Sequence, residues 1–372
     1  MSNIGFIGIG KLGLECAEAC AEKGHSVYGY DVEQKPVRKV IQQQTIEDTV
    51  KDRDIVFVAV PTPHDPKYDG RAPCMHLEPK DFSYDIVKSV LTEANKHMNE
   101  NQILVLISTV LPGTVRKEFV PLITNTKFVY NPYLIAMGTV AWDMVNPDMV
   151  IIGGEKPNDD DAMALIDFYK TIMENDPHYN IGTWEEAEAT KIFYNTFISA
   201  RLSLVNMIQD VAQRTGNMNV DVVTESLRNA GKRITSDAYM KAGMGDGGPC
   251  HPRDNIALRH LAERLNLGYD LFDAIAKSRE VQAENMAREI LKYGNRVQFS
   301  SDSYKSNVEY TDGSYSLLVQ YFIKEFGGWV VDENPSVYVL VHPGDKPIDN
   351  IMNFDPWRNH KGDNIIRYGD TR

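Results

Sequence analysis

Gly8-Ile9-Gly10-Lys11-Leu12-Gly13 is a GxGxxG loop, preceded by strand-like residues 3–8 and followed by a helical run over 11–22. In that setting the first glycine makes a tight turn. The second lets backbone approach a pyrophosphate, and the third lets helix and strand pack closely. The anion would rest on the positive end of the helix. Asp31 closes the next strand-like run, 18 residues after Gly13. An acid there accepts from a ribose 2′-hydroxyl and repels a 2′-phosphate, so the expected cofactor is NAD rather than NADP. A second reactive stretch is 243–254, GMGDGGPCHPRD. Pro252 suits the first turn of a helix, which puts Cys250 a residue or two before a helix start. A helix end and the nearby Arg253 would both lower its thiol pKa and favour a nucleophilic thiolate. A buried structural cysteine in an ordinary turn fits the same residues. Glu188, Lys191 and Asn195, spaced i, i+3, i+7, share one helix face, which suits either a polar site or a solvated surface.

The elements that must position these residues alternate. Strand-like runs at 26–31, 54–60, 102–108, 127–130 and 149–152 are separated by helical stretches near 80–98 and 158–174. That alternation predicts an α/β fold with a mostly parallel, doubly wound sheet. From Trp184 to about Arg214 the pattern is helical without Pro or Gly, and helical signals continue through 219–230 and 252–293. Strand-like text returns at 296–299, 329–331 and 337–341, around a helix at about 314–326. From about Pro343 the chain reads as polar and rich in turns.

A chain of 372 residues predicts two or three domains. The formal charge of −13 argues against nucleic acid and against an anionic membrane surface as partners. No apolar run reaches the roughly 18 residues of a membrane span. The amino terminus has no basic region with a separate hydrophobic stretch, which predicts no signal peptide and a cytosolic location. Four cysteines and nine histidines form no ligand cluster, so no metal is expected. Cys16 and Cys20, at i and i+4, read as buried small apolar residues. Cys74 has no assigned role.

Ordered motifs along residues 1–330 resemble the UDP-glucose/GDP-mannose dehydrogenase family. They are GIGKLG with Asp31, Val60-Pro61-Thr62-Pro63, and Ser108-Thr109-Val110 with Pro112-Gly113-Thr114. Asn131-Pro132, NPDMVIIGG at 146–154, Glu188-Ala189-Thr190-Lys191 with Asn195, GGPCHPRD and Ser303-Tyr304-Lys305 follow in turn. The resemblance implies an NAD-binding Rossmann domain over 1–182 and a central helical section over 183–294 with a long connecting helix. A small C-terminal α/β domain over 295–372, shorter than in relatives, would bind the nucleotide sugar.

It also implies a two-step oxidation of a sugar C6 alcohol, through an aldehyde and a cysteine thioester, to the uronic acid. By motif position Cys250 is the nucleophile. Lys191 and Asn195 hold the developing oxyanion, and Asp254 and Thr109 position water and move protons. Val60, Pro61, Thr62, Ser108 and Thr109 join Gly8, Gly10, Lys11, Leu12, Gly13 and Asp31 around the cofactor. Tyr133, Leu134, Lys191, Asn195, Arg233, Gly247 and Lys305 face the nucleotide sugar, with Arg233 reaching a neighbouring subunit in a homodimer or larger assembly. Three departures stand out. The loop that reads NPEFLREG in the family reads Asn131-Pro132-Tyr133-Leu134-Ile135-Ala136-Met137-Gly138, without either acid. Asp312-Gly313 replaces an arginine ahead of Ser314, and Arg253 replaces a lysine. A two-electron dehydrogenase that does not use the cysteine, and a sugar-nucleotide-binding protein without turnover, remain alternatives.

Overall fold

Four consecutive apolar residues, Ile55–Val58, form a strand buried on both faces, as a helix-covered parallel sheet requires. A computed structural model describes residues 1–370 except 64, 67–76, 79, 137, 158–159, 237–240, 245–249, 307–308 and 310, and backbone alone at 202, 206, 250, 251, 253, 254, 256 and 257. The chain divides into two units, Met1–Ala200 and Arg201–Arg372.

The first unit holds β1 (Asn3–Ile7), β2 (Ser26–Tyr30), β3 (Ile41–Gln42), β4 (Ile55–Val58), β5 (Ile103–Leu106), β6 (Lys127–Tyr130), β7 (Met149–Gly154) and β8 (His178–Thr183). Their order is β3-β2-β1-β4-β5-β6-β7-β8. The first six run parallel, and β7 turns antiparallel to β6 while pairing parallel with β8. Alternate strand residues serve opposite faces. Phe6, Phe57 and Val105 pack under α1 (Gly13–Glu22), α4 (Val140–Val145) and α5 (Asp160–Tyr169). Val56, Val58, Leu104 and Leu106 pack under α3 (Asp85–His97), a helical turn at 115–119, and Trp184 and Ala187 of α6 (Trp184–Thr215). A short α2 (Ile46–Val50), capped by Thr45, links β3 to β4. The strand order reverses at β1, which opens the crevice between the carboxyl ends of β1 and β4.

The second unit comprises α7 (Val220–Arg228), α8 (Cys250–Arg264), α9 (Leu271–Leu291), β9 (Arg296–Phe299), α10 (Tyr315–Glu325), β10 (Trp329–Val330), β11 (Val337–Val339), β12 (Met352–Asp355) and β13 (Ile365–Arg367). Its five-stranded parallel sheet has the order β10-β9-β11-β12-β13. Its core joins Ala283, Met286 and Ile290 of α9, Val319 and Ile323 of α10, and Val297, Val339 and Phe354 of the strands. Among the described residues no helix is long and apolar enough to cross a membrane.

Two readings of the sequence are corrected, and one strand was not foreseen. The stretch after Pro343 is not only turns, because β12 and β13 lie within it. β12 was hidden because Asn353 and Asp355, both buried, satisfy themselves locally. The Asn353 amide bonds the Ile348 N–H and the Ile348 and Ile351 carbonyls, and Asp355 accepts from the backbone of Trp357, Arg358 and His360. The helical run 252–293 is two helices, broken where Gly268 adopts φ +85°. His178–Thr183, a polar edge strand, gave no clear alternation.

Candidate active site

The glycine loop has the shape its spacing predicts. Gly8 sits at φ +92°, where a side chain would be strained, and a Cβ there would stand 2.7 Å from the Ala59 carbonyl oxygen. A Cβ on Gly13 would stand 1.9 Å from the Gly8 carbonyl oxygen, so only glycine lets α1 sit this close to β1. Around Gly10 a Cβ would meet nothing within 4 Å, which leaves backbone open to a ligand. Leu12 packs on the core and Lys11 is exposed. Asp31 follows β2, half-buried, and accepts from the Glu33 N–H at 3.1 Å. These residues fit a pyrophosphate on the loop and a ribose at Asp31.

The loops after β4 and β5 are tied together at the same edge. Ser108 Oγ donates to the Val60 carbonyl at 2.5 Å, and Thr62 Oγ1 donates to the Thr109 carbonyl at 2.8 Å. Pro61 between them is exposed. These hydroxyls are therefore spent on positioning backbone.

Glu188, on the first turns of α6, is fully buried and not part of a solvated face. Its two carboxyl oxygens accept from the Gly113 and Val115 N–H groups, each at 2.6 Å. It thus fastens the loop after β5 to the long helix. Burial pushes its carboxyl up to about 7, opposed by those two donors, which pull it down. The raised value means that the carboxyl favours folding most below about 4.5, its ordinary value, and that this contribution is lost as pH rises through about 7. Glu188→Gln presents an amide N–H₂ to one backbone N–H. It is expected to lower stability by roughly 1–3 kcal/mol near neutral pH and to flatten the pH slope, read by thermal melts across pH. A melting temperature and slope equal to the parent's would contradict that role.

One turn along α6, Lys191 Nζ donates to the Tyr133 carbonyl at 2.6 Å. Burial alone lowers its pKa. Tyr133 opens the loop after β6, so the ammonium reaches the carboxyl edge of the sheet that carries the glycine loop. Tyr169 donates its one hydroxyl proton to Asn131 Oδ1, so the 3.0 Å bond between the two tyrosine hydroxyls is donated by Tyr133. The Asn131 amide donates to the Ile151 carbonyl at 2.7 Å. Burial, followed by the Tyr169 hydroxyl, raises the Tyr133 pKa well above the usual phenol value. Leu134 packs against the core, and Asn195 is exposed a turn beyond Lys191.

The other expected site residues belong to the second unit. Cys250 is itself the first residue of α8, closer to the helix end than its sequence suggested, and Asp254 lies one turn on. Their side chains and that of Arg253, together with Gly247, Cys74 and Met137, fall outside the described positions. Arg233 is exposed in the turn after α7. Lys305 is exposed, and its carbonyl accepts from Ser303 Oγ at 3.0 Å.

Sequence reasoning missed Tyr169, whose signal was only a helical apolar residue. It also missed why NPDMVIIGG needs its glycines. A Cβ on Gly153 would stand 2.8 Å from the Ala187 Cβ, so this glycine lets α6 lie against β7.

Comparison with known proteins decides the family. The model of the UDP-glucose/GDP-mannose dehydrogenase NAD binding domain matches residues 39–173, and that of the same family's central domain matches 185–280. The chain belongs to the UDP-glucose/GDP-mannose dehydrogenase family. Residues 3–68 also match the NAD binding domain of 6-phosphogluconate dehydrogenase. The cofactor is NAD, in keeping with the glycine loop and Asp31. The UDP-glucose 6-dehydrogenase of Rickettsia typhi is 25% identical over 318 residues, 77% of this chain and 69% of that protein. The Caenorhabditis elegans enzyme of the same name is 31% identical over 62% of this chain and 48% of its own length. A Methanocaldococcus jannaschii protein, MJ1054, is 28% identical over 68% of this chain, but the match spans only 30% of that longer protein. Among solved structures, GDP-mannose dehydrogenase from Pseudomonas aeruginosa superposes with a TM-score of 0.84, covering 98% of this chain and 99% of that one at 20% identity. The Pyrobaculum islandicum UDP-glucose dehydrogenase gives 0.52 at 21% identity, covering 99% and 96%. Both share the fold.

Proposed function

We propose that this chain oxidises the C6 alcohol of a nucleotide sugar of the UDP-glucose kind, with NAD as acceptor and Cys250 as nucleophile. The observation that carries the reading is Lys191. Its ammonium is fixed by a 2.6 Å bond to the loop after β6, at the sheet edge where the glycine loop lies. A cation held there, with its charge poorly solvated, stabilises an alkoxide forming on the substrate. Asn195 would donate to the same oxygen.

Bound NAD supplies the hydride acceptor. The alcohol loses a hydride and a proton to become an aldehyde. The Cys250 sulfur adds to the aldehyde carbon, and loss of a second hydride to a second NAD leaves a thioester. Water then cleaves the carbon–sulfur bond, giving the acid and the free thiol. Thr109 and Asp254 would place that water and move its proton. Arg233, Gly247, Lys305 and Leu134 would hold the substrate, with Arg233 serving a neighbouring subunit in a homodimer or larger assembly.

A second outcome is favoured by Tyr133. It stands where the family loop has a glutamate, and its hydroxyl is engaged with Tyr169 and resists ionisation. It cannot serve as a base, which favours release of the aldehyde after one hydride transfer.

Purified protein mixed with NAD and a panel of UDP- and GDP-sugars is expected to form NADH with at least one of them. Two NADH per sugar marks the acid and one marks the aldehyde. Cys250→Ser is expected to end acid formation. A protein that binds NAD but reduces none with any sugar would leave only a binding role. Unchanged turnover in Cys250→Ser would remove the cysteine from the chemistry.

A further inference from the structure

We propose that the loop at 356–360, which follows β12, is a positioning clamp for the segment that leads into Cys250. The inference rests on the reading of Cys250 as nucleophile. Arg358 Nη2 donates to the Ala242 carbonyl at 2.6 Å, and Lys241 Nζ donates to Asn359 Oδ1 at 2.7 Å. Between these bonds Gly243 packs against the Trp357 ring, where a Cβ would stand 2.3 Å from two ring carbons. Met244 then enters the core formed by α9, α10 and the second sheet.

The clamp is itself held from below. Buried Asp355 accepts from the backbone N–H groups of Trp357 and Arg358 on one oxygen and of His360 on the other. The indole N–H of Trp357 donates to the Val341 carbonyl at 2.9 Å. The second terminal nitrogen of Arg358 donates to the Pro356 and Tyr368 carbonyls, so this guanidinium is committed to holding backbone. Gly243 and Pro252 line the same cavity, with Asn255 and Tyr315. The chain is therefore fixed at Met244, six residues before Cys250 opens α8. An anchor on the chain just ahead of α8 limits where that helix can begin, and misplacement of a catalytic group by about 1 Å can cost about 100-fold in rate.

The test compares Gly243→Ala and Arg358→Ala with the parent. It reads kcat and KM, and the pH profile of Cys250 alkylation by iodoacetamide, resolved by peptide mass spectrometry. Both variants are expected to lose roughly 10- to 100-fold in kcat with little change in KM. Both are also expected to show a displaced Cys250 alkylation profile at a temperature where melts show them folded. If either fails to fold, Asn359→Ala, which removes the hydrogen bonds to Lys241 and to the Pro343 carbonyl, carries the same readouts. Alkylation profiles that overlay the parent's would overturn the clamp. Cys250→Ser with parental turnover would instead overturn the nucleophile, and the alkylation profiles would still decide the clamp.

Discussion

Gly13→Ala is expected to weaken NAD binding by about 100-fold or more, because the methyl would lie 1.9 Å from the Gly8 carbonyl oxygen. No rotamer relieves a Cβ clash. Either α1 slides away from β1 or the Gly8 turn opens, and both move the N–H groups that face the pyrophosphate. Gly10→Ala separates the two effects. Its methyl would meet nothing within 4 Å of the protein, so the melting temperature without cofactor should stay at the parental value while NAD affinity still falls. Titration calorimetry with NAD, alongside melts of the cofactor-free protein, reads both. Parental NAD affinity in both variants would show that the loop does not hold the pyrophosphate.

Lys191→Met is expected to cut kcat by roughly 100- to 1000-fold, the usual loss when a donor to a developing oxyanion is removed. Stability should move the other way or hardly at all. Burial lowers the Lys191 pKa, so its contribution to folding is fully present only above the ordinary lysine value and is lost as pH falls through the lowered one. At neutral pH the parent therefore carries a desolvated ammonium that methionine lacks, which offsets the roughly 1 kcal/mol of the lost bond to the Tyr133 carbonyl. Steady-state kinetics and melts on the same preparation make the comparison. A variant that loses both stability and activity in proportion would assign Lys191 to packing instead.

The glycine loop was legible in the sequence because each glycine answers a geometric demand that no other residue meets, and the strand-helix-strand context fixed where it lies. The helix face at 188–195 was half legible. Its spacing showed that Glu188, Lys191 and Asn195 share a side, but not that one is buried on backbone donors while another is exposed. Burial of a polar group depends on partners distant in sequence, here Gly113 and Val115, and periodicity carries no trace of them. The same holds for Tyr133, whose loss of the family's acid could be read, but whose engagement with Tyr169 could not. The tail was least legible. β12 places Asn353 and Asp355 inside the fold, and a strand with polar residues buried looks like a loop to any pattern based on hydropathy.

Cys16 and Cys20 sit on the inner face of α1, fully buried, and burial raises both thiols, Cys20 to about 12. An alkylating reagent reaches them only when α1 lifts off the sheet. They form a clock for opening of the cofactor domain. Adding NAD should slow it in proportion to ligand occupancy, with no engineered probe needed.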